Sequence, residues 1–209
     1  DGLYQQANYI DLALEQAEQM IAAGADFLDL GAESSRPDAI KVDATEEGKR
    51  LFPVLKELVG VVQAPISIDT YKSEIAIKAL ELGATIINDI WGLQAPDDLD
   101  HRMAKVVAEA QVPVVIMHNK TNSDYTSLMP EIIESLQRSI ELALNAGVAF
   151  ERIIIDPGIG FAKSYQNNLL VLRDLAQLKV LGRPILLGTS RKSVVGLTLE
   201  LPAEERLEG

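Results

Sequence analysis

The sequence predicts an α/β fold in which buried parallel strands alternate with helices, and three observations support this class. Apolar residues make up 47% of the 209 residues, whereas aromatic residues make up only 5%. Short runs rich in Ile, Val and Leu recur along the chain, separated by segments with apolar residues at helical spacing. Polar residues, several of them Asp or Asn, stand where these runs end. Such alternation is typical of a parallel sheet covered by helices.

The helices are predicted from periodicity and from the residues that start or stop them. The first covers residues 5–23 and stops at Gly24. The second begins near Asp43, which has Glu46 three residues later as in a capping box, and Pro53 is expected to kink it. Further helices are predicted at residues 72–82, 98–110, 132–143 and 168–178, and a last one after residue 192.

Six strands are predicted, each in one βα unit. They cover residues 27–31, 65–70, 85–90, 112–118, 153–155 and 184–188. No linker rich in Pro, Ser or Gly divides the series, so residues 1–209 are predicted to form a single domain. The sheet is either a (β/α)8 barrel with about six of its eight units present, or an open doubly wound sheet. Polar residues at nearly every strand end, and the absence of Gly-x-Gly-x-x-Gly after any strand, favour the barrel.

Composition excludes several classes of function. The chain has no Cys, so it has neither disulfides nor thiolate metal sites. Its net charge of −12 argues against a nucleic-acid partner, and any anionic ligand must be held by a local cluster of Arg and Lys. No apolar run approaches the ~18 residues of a membrane span, and nothing resembles a signal peptide. These features are expected of a cytoplasmic protein without a membrane partner.

Carboxylates and amides at strand ends are the candidate functional residues. Asp156 stands at a corner where a β-branched run meets Pro-Gly, Asp69 ends an earlier strand, and Asn88 lies near the exit of the next. Structural alternatives remain open for each: Asp156 or Asp69 could cap the helix that follows, and Asn88 could satisfy a bent strand end. His118 is expected to line the pocket rather than to exchange protons, and Lys163 is either functional or a solvated loop charge.

With these residues in hand, the chain resembles dihydropteroate synthase. The matching segments occur in the family's order and span almost the whole chain; they are Gly31–Pro37, Ser67–Thr70, Ile87–Ile90, Met117–His118, Asp156–Phe161 and Ser190–Ser193. One departure is Ser35, which stands where the family usually has Thr, so that a hydroxyl is kept and a methyl lost. The resemblance implies a (β/α)8 barrel transferase that joins a dihydropterin pyrophosphate to 4-aminobenzoate in folate synthesis and that sulfonamides inhibit.

The resemblance also implies a Mg²⁺ cofactor, a homodimer and a cytoplasmic location. In the family, an Asn on an opening strand holds the Mg²⁺, and a last strand brings Arg and His to the pyrophosphate. Neither strand is found in these 209 residues, so we expect a chain truncated at both ends, with no metal ligand among its own residues.

Physical roles follow for the residues that match the family. Asp69, Asp156 and Lys192 are the expected catalytic residues. A pterin has an edge of donors that suits Asp156, with Asn88 beside it, while Asp69 would face the ring nitrogens and Lys192 the pterin carbonyl. Ser193 is expected at a helix N-terminus, where its N–H groups and hydroxyl suit the aminobenzoate carboxylate. The other expected substrate contacts are Ser35 and Arg36 to pyrophosphate, Pro37 and Phe161 to the aminobenzoate ring, and Met117 in the pocket wall.

Two rival functions remain open from the sequence. A pterin-binding methyltransferase acting on methyltetrahydrofolate would share the barrel and the carboxylate–amide pocket. Residues 33–37 and 190–193 speak against it, because a methyl donor needs neither a pyrophosphate site nor an aminobenzoate site. A non-catalytic barrel that binds pterins is the second rival.

Overall fold

A computed structural model of the chain describes residues 3–34 and 40–206. Its five strands are β1 Leu28–Gly31, β2 Ile66–Asp69, β3 Ile86–Asp89, β4 Val114–Met117 and β5 Ile153–Asp156. Its seven α-helices within the described part are α1 Tyr9–Ala22, α2 Ala44–Val61, α3 Ser73–Glu81, α4 Arg102–Ala110, α5 Leu128–Ala146, α6 Tyr165–Arg173 and α7 Ser193–Leu199. Short 3-10 helices lie at Leu3–Gln5, Phe150–Arg152, Leu175–Leu181 and Ala203–Glu205.

The order of the strands distinguishes the two α/β architectures. The strands are parallel and pair in the order β1-β2-β3-β4-β5, so each strand lies beside the next one in sequence. A doubly wound sheet would reverse this order at a switch point, whereas a barrel winds in one direction. The described part of the chain is therefore a partial (β/α)8 barrel, and the predicted fold class is confirmed.

The predicted sixth strand, residues 184–188, reduces to a single bridge between Ile155 and Ile185. Ile155 N donates to Pro184 O at 3.0 Å, and Leu186 N donates to Ile155 O at 2.9 Å. Pro184 has no N–H with which to extend the ladder. In residues 3–34 and 40–206, the predicted six strands are therefore corrected to five strands and one bridged segment.

Helix starts follow local capping more closely than periodicity. Asp43 accepts from Glu46 N at 2.8 Å, as expected, but the Glu46 side chain pairs with Arg50 at 2.9 Å instead of completing a capping box. Helix α4 begins at Arg102 rather than at Asp98, because the Asp98 carboxylate accepts the N–H of Arg102 at 2.8 Å and that of Met103 at 3.0 Å. In addition, α6 begins earlier than the predicted residue 168.

The two faces of the sheet differ in chemistry. Ile68, Ile87, Ile116 and Ile155 are fully buried and belong to the apolar core between the sheet and the helices. Side chains alternate along a strand, so the residues between them point to the opposite, inner face. That face carries polar side chains on four of the five strands.

No helix in residues 3–34 and 40–206 combines the length and apolar character that a membrane crossing requires.

Candidate active site

Strand register places the expected pterin residues on the inner face of the sheet. Asp69 is in register with Asn88, and Met117 is in register with Asp156. Asn88 Nδ2 donates to Asp29 Oδ2 at 3.0 Å, which links β3 to β1 across β2. The Asn88 side chain therefore bonds across the sheet and does not merely satisfy backbone groups at a bent strand end. Four strands contribute side chains to one polar surface.

Asp156 is the most buried carboxylate on this surface, with 5% of the residue exposed. Its Oδ1 accepts from Gly158 N at 2.7 Å, a bond within its own strand-to-loop corner. Burial raises the pKa of Asp156, whereas the Gly158 N–H and the charges of Lys192 and Lys163 act to lower it. One oxygen is thus engaged locally, and the carboxylate has cations nearby that stabilise its charged form.

Asp69 lies in a field of other carboxylates. Burial and, in decreasing order, the negative charges of Asp29, Asp89, Glu47 and Glu33 together raise its pKa to about 8. Asp69 is therefore protonated at neutral pH before substrate binds and can donate a hydrogen bond. Asp69 was expected to be a carboxylate; burial, together with acids on β1, β3, α2 and the loop after β1, instead makes it a neutral carboxylic acid.

Lys192 reaches toward Asp156 from the far side of the site. It occupies the N-cap position of α7, and its Nζ donates to Ile159 O at 2.5 Å and lies 4.9 Å from the centroid of the Phe161 ring. A Cβ on Gly188 would stand 3.3 Å from Lys192 Nζ and 4.0 Å from Asp156 Oδ2, so both groups border this glycine. Burial lowers the pKa of Lys192, and Asp156 and Asp69 oppose that shift.

The structure describes three of the other expected substrate-binding residues and leaves three outside the described part. Met117 is buried at the end of β4, and Phe161 is half-buried in the loop after β5. Ser193 is the exposed first residue of α7, a helix of 7 residues. Ser35, Arg36 and Pro37 lie outside the described residues.

A second polar cluster was missed from the sequence. Lys72 Nζ donates to Glu33 and, at 2.5 Å, to Glu47, which is only 1% exposed. Thr70 Oγ1 donates to Glu47 Oε1 at 2.8 Å, and Tyr71 OH donates to Glu33 at 3.2 Å. This cluster joins the loop after β1 to α2 and to the exit of β2. Thr70 is thus part of a buried network, and its Oγ1 also accepts from the N–H of Lys72, the residue before α3, at 3.2 Å.

Asp29 was also missed, although its signal was present. It is a charged residue between two leucines of β1, and in a strand such alternation indicates a polar inner face. The partner that makes it relevant, Asn88, is 59 positions away in the sequence. Asp89, by contrast, is fully buried and accepts from the N–H groups of Trp91 and Leu93, each at 2.8 Å, so it shapes the turn after β3.

No metal centre is assigned to the described residues. Among residues 3–34 and 40–206, no group of three or more His, Asp or Glu side chains is arranged to hold a metal ion. The described His, Asp and Glu side chains therefore provide no ligand set for the expected Mg²⁺.

Comparison with known proteins gives the family. The sequence pattern described as "Pterin binding enzyme" matches residues 2–209. Over 202 residues the chain is 48% identical to the dihydropteroate synthase of Clostridium beijerinckii, covering 97% of this chain and 74% of that protein. The Bacillus subtilis dihydropteroate synthase is 46% identical over 200 residues, which cover 96% of this chain and 69% of that protein. The chain belongs to the dihydropteroate synthases.

Solved structures of this family agree with the fold. The dihydropteroate synthase of Clostridium difficile, crystallised in the presence of pteroic acid, superposes with a TM-score of 0.93 at 46% identity, covering 98% of this chain and 76% of that one. The Xanthomonas albilineans dihydropteroate synthase with 4-aminobenzoic acid gives a TM-score of 0.90 at 36% identity, covering 97% and 73%. Dihydropteroate synthases are transferases, and the chain is accordingly an enzyme of that class.

Proposed function

We propose that the site condenses 6-hydroxymethyl-7,8-dihydropterin pyrophosphate with 4-aminobenzoate to give 7,8-dihydropteroate and pyrophosphate. The observation that carries this proposal is the convergence of Asp156 and Lys192 on Gly188, beside Asp69 and Asn88 on the same polar face. In the reaction the bond between the pterin methylene and the pyrophosphate oxygen breaks. The arylamine nitrogen bonds to the methylene carbon and releases one proton.

The pterin is held by complementary donors and acceptors. The Asp156 carboxylate accepts from the amino edge of the pterin, with one oxygen already fixed by Gly158 N–H. Asn88, oriented by its bond to Asp29, both donates and accepts beside that edge. Lys192 donates to the pterin carbonyl and an adjacent ring nitrogen. Asp69, protonated before binding, donates to a ring nitrogen that a carboxylate would repel.

Charge stabilisation supplies the catalytic contribution of these residues. Departure of pyrophosphate leaves positive charge on the methylene, delocalised into the ring. Lys192 and Lys163 favour the charged form of Asp156 beside this ring. Asp69 becomes more acidic as the ring becomes positive, because opposite charge favours the ionised form, and its proton passes to solvent. Both groups are already positioned, so they stabilise the transition state without reorganisation. Their arrangement favours ionisation of the pterin methylene before the amine attacks.

The aminobenzoate is proposed to bind at the other end of the site. Its carboxylate would meet Ser193 at the start of α7, and its ring would pack against Phe161, over which the Lys192 ammonium lies at 4.9 Å. Pro37 would complete the ring contact, while Ser35 and Arg36 would bind the pyrophosphate. Met117 would form part of the pocket wall.

Several finer properties belong to the same proposal. Sulfonamides would inhibit the enzyme by occupying the aminobenzoate position; a Yersinia pestis dihydropteroate synthase has been crystallised in complex with a sulfonamide drug. We further propose that residues 1–209 act as one pterin-binding domain, that the enzyme is a cytoplasmic homodimer, and that Mg²⁺ assists it through ligands other than the described residues. Sedimentation measurements test the dimer, and chelation followed by Mg²⁺ addition tests the metal.

The proposed function is tested by turnover of the purified full-length protein; residues 1–209 alone are expected to be nearly inactive, because part of the pyrophosphate site is expected outside them. With both substrates present we expect pyrophosphate release and dihydropteroate formation, and neither when one substrate is omitted. A thermal-shift comparison should show stabilisation by dihydropterin pyrophosphate, and further stabilisation when 4-aminobenzoate is added. If methyltetrahydrofolate stabilises the protein and donates its methyl group, and no dihydropteroate forms, the protein is a methyltransferase instead. Pterin binding without any turnover would identify a non-catalytic barrel.

Ser193→Leu and Lys192→Ala are expected to separate the two substrates. Ser193→Leu should raise the KM for 4-aminobenzoate and weaken sulfonamide inhibition by about tenfold, the cost of one hydrogen bond to a charged group, with pterin affinity nearly unchanged. Lys192→Ala should reduce pterin affinity by a similar factor, because it removes a donor beside Asp156. Each ligand is titrated separately by calorimetry, aminobenzoate in the presence of pyrophosphate and a pterin.

Val195→Leu serves as the matched control for Ser193→Leu, because it adds volume to the same short helix two residues further on. Both affinities should stay near their original values in this control. If Ser193→Leu and Lys192→Ala weaken the binding of both ligands equally, the assignment of Ser193 to aminobenzoate and of Lys192 to the pterin is wrong. Residues 190–193 then have a structural role only.

A further inference from the structure

Lys163 makes three contacts that the mechanism above does not use. Its Nζ lies 2.9 Å from His118 Nδ1, 2.9 Å from Gly158 O and 3.1 Å from Phe161 O. An ammonium has three N–H donors and no acceptor, so these three partners use its full capacity. We propose that Lys163 is a positioning residue that holds the loop after β5, and thereby Phe161, in place for the aminobenzoate. This inference rests on the proposed function.

The loop that Lys163 holds is tightly packed against the end of β4. Gly158 has a φ of +71°, and a Cβ at this position would stand 2.1 Å from His118 O. The N–H of Gly158 binds Asp156, and its carbonyl binds Lys163. A single cation therefore joins the beginning of the loop, its aromatic residue and the neighbouring strand. Removing the cation leaves the Phe161 carbonyl without this donor, whereas Gly158 O keeps the bond that it accepts from Phe161 N at 3.1 Å.

Other contacts hold the same loop at different points. Gly160 N donates to Asn168 Oδ1 at 2.7 Å, and Tyr125 OH donates to Ala162 O at 3.0 Å. Neither of these bonds involves the carbonyl of Phe161. Loss of Lys163 should therefore loosen the carbonyl side of Phe161, while the bond from Phe161 N to Gly158 O and the two bonds above keep the rest of the loop in place. The expected effect is a misplaced ring rather than an unfolded segment.

His118 is suited to receive one of the three bonds. It is 3% exposed, and burial, with the positive charges of Lys163, Lys120 and Arg138, lowers its pKa to about 3. The imidazole is therefore neutral at physiological pH. Since Nδ1 accepts from the ammonium, the proton is on Nε2, which defines the tautomer. This is a structural role for a buried His that the sequence argument assigned only to the pocket lining.

The charges around Lys163 make the arrangement sensitive to pH. Burial lowers its pKa, Asp156 acts to raise it, and the charges of Lys192 and Lys120 also lower it, which together bring it to about 7. His118, the fourth titratable group near Lys163, stays neutral. A deprotonated amine has two donors and one lone pair, so it cannot serve three acceptors. The loop contact weakens as pH rises through about 7, and the KM for aminobenzoate should rise with it.

The first test separates the substrates kinetically. Lys163→Met keeps the length of the side chain and removes every donor. We expect the KM for aminobenzoate to rise about tenfold, with pterin affinity changed less than about threefold. Lys163→Arg keeps the charge at all accessible pH values, so it should restore part of the aminobenzoate affinity and flatten its pH dependence. Lys179→Met removes an exposed lysine and is the matched control.

The second test observes the contact directly. The chain has 2 His residues, so nitrogen-15 spectra of the imidazoles are simple, and His101→Gln identifies the signals of His118. At pH 6 we expect His118 to be neutral with Nδ1 unprotonated, and its Nδ1 signal to shift in Lys163→Met. An Nδ1–H tautomer in the original protein would overturn the inference, as would an unchanged aminobenzoate KM in Lys163→Met while the original enzyme turns over. Absence of turnover in the original enzyme would overturn the proposed function instead, while the spectra would still report on the contact.

Discussion

Asp156→Asn is expected to reduce pterin affinity by about ten- to a hundredfold, because it removes a charged acceptor from a buried ligand edge; such a bond contributes roughly 1.5–3 kcal/mol. The amide keeps the shape of the side chain, and its oxygen can still accept from Gly158 N–H. The fold should therefore persist. Turnover should fall at least as far, because the carboxylate also stabilises positive charge on the ring. Calorimetry with a pterin, together with initial rates, measures both effects.

Asp89→Asn is the matched control for this prediction. Asp89 is also a buried aspartate at a strand end, but it points away from the inner face and binds the N–H groups of Trp91 and Leu93. Asn offers one acceptor oxygen in place of two, so the melting temperature should fall while pterin affinity is retained. Equal pterin affinity in the original protein and in Asp156→Asn would remove Asp156 from the pterin site.

The fold was predictable because its signals are local. A run such as Ile153–Asp156 combines β-branched residues with a Pro-Gly stop, and neither feature depends on distant parts of the chain. The segment around Ile185 has similar composition, yet it forms only one bridge. A strand requires hydrogen-bonding partners along its length, and composition does not report whether they are present. Capping shows the same limit, since Asp98 determines the start of α4 from outside the helix.

The candidate site was predictable only where a polar residue stands at the end of a predicted strand. Asp69, Asn88 and Asp156 are polar residues that follow apolar runs, and the structure places them on one face. Asp29 and Lys72 are different, because their significance lies in partners far away in the sequence. The same is true of Lys163, which was indistinguishable from a solvated loop charge until its contact with His118, 45 positions earlier, was visible.

The state of Asp69 illustrates a further limit of sequence reasoning. Its protonation depends on burial and on four acids from β1, α2, β3 and the loop after β1. None of these acids is adjacent to Asp69 in the sequence. A pKa is a property of the whole environment, so a motif identifies the residue type without its charge. This distinction changes its proposed role from a fixed carboxylate to a group that donates first and ionises as the ring becomes positive.

Asp69→Asn is expected to stabilise the protein while reducing kcat/KM by about a hundredfold or more, because it removes a group that responds to the developing charge. The stability change follows from linkage. The pKa of Asp69 is about 8 in the folded state against 3.8 for the ordinary carboxyl group, so the folded state binds the extra proton between these values. Its stabilising contribution is complete below pH about 4 and is lost as pH rises to about 8.

Asn cannot ionise, so the variant lacks this loss, and its advantage in melting temperature over the original protein should grow from pH 5 to pH 8.5. We expect an advantage of at least about 3 °C at pH 8.5, since 1 kcal/mol corresponds to roughly 2–4 °C in a domain of this size. Asp97→Asn removes the same charge from an exposed loop and controls for net charge. A melting-temperature difference that stays constant across this pH range would show that Asp69 is ionised in the folded state. In that case Asp69 binds the pterin as a carboxylate, and its negative neighbours are neutralised by other means.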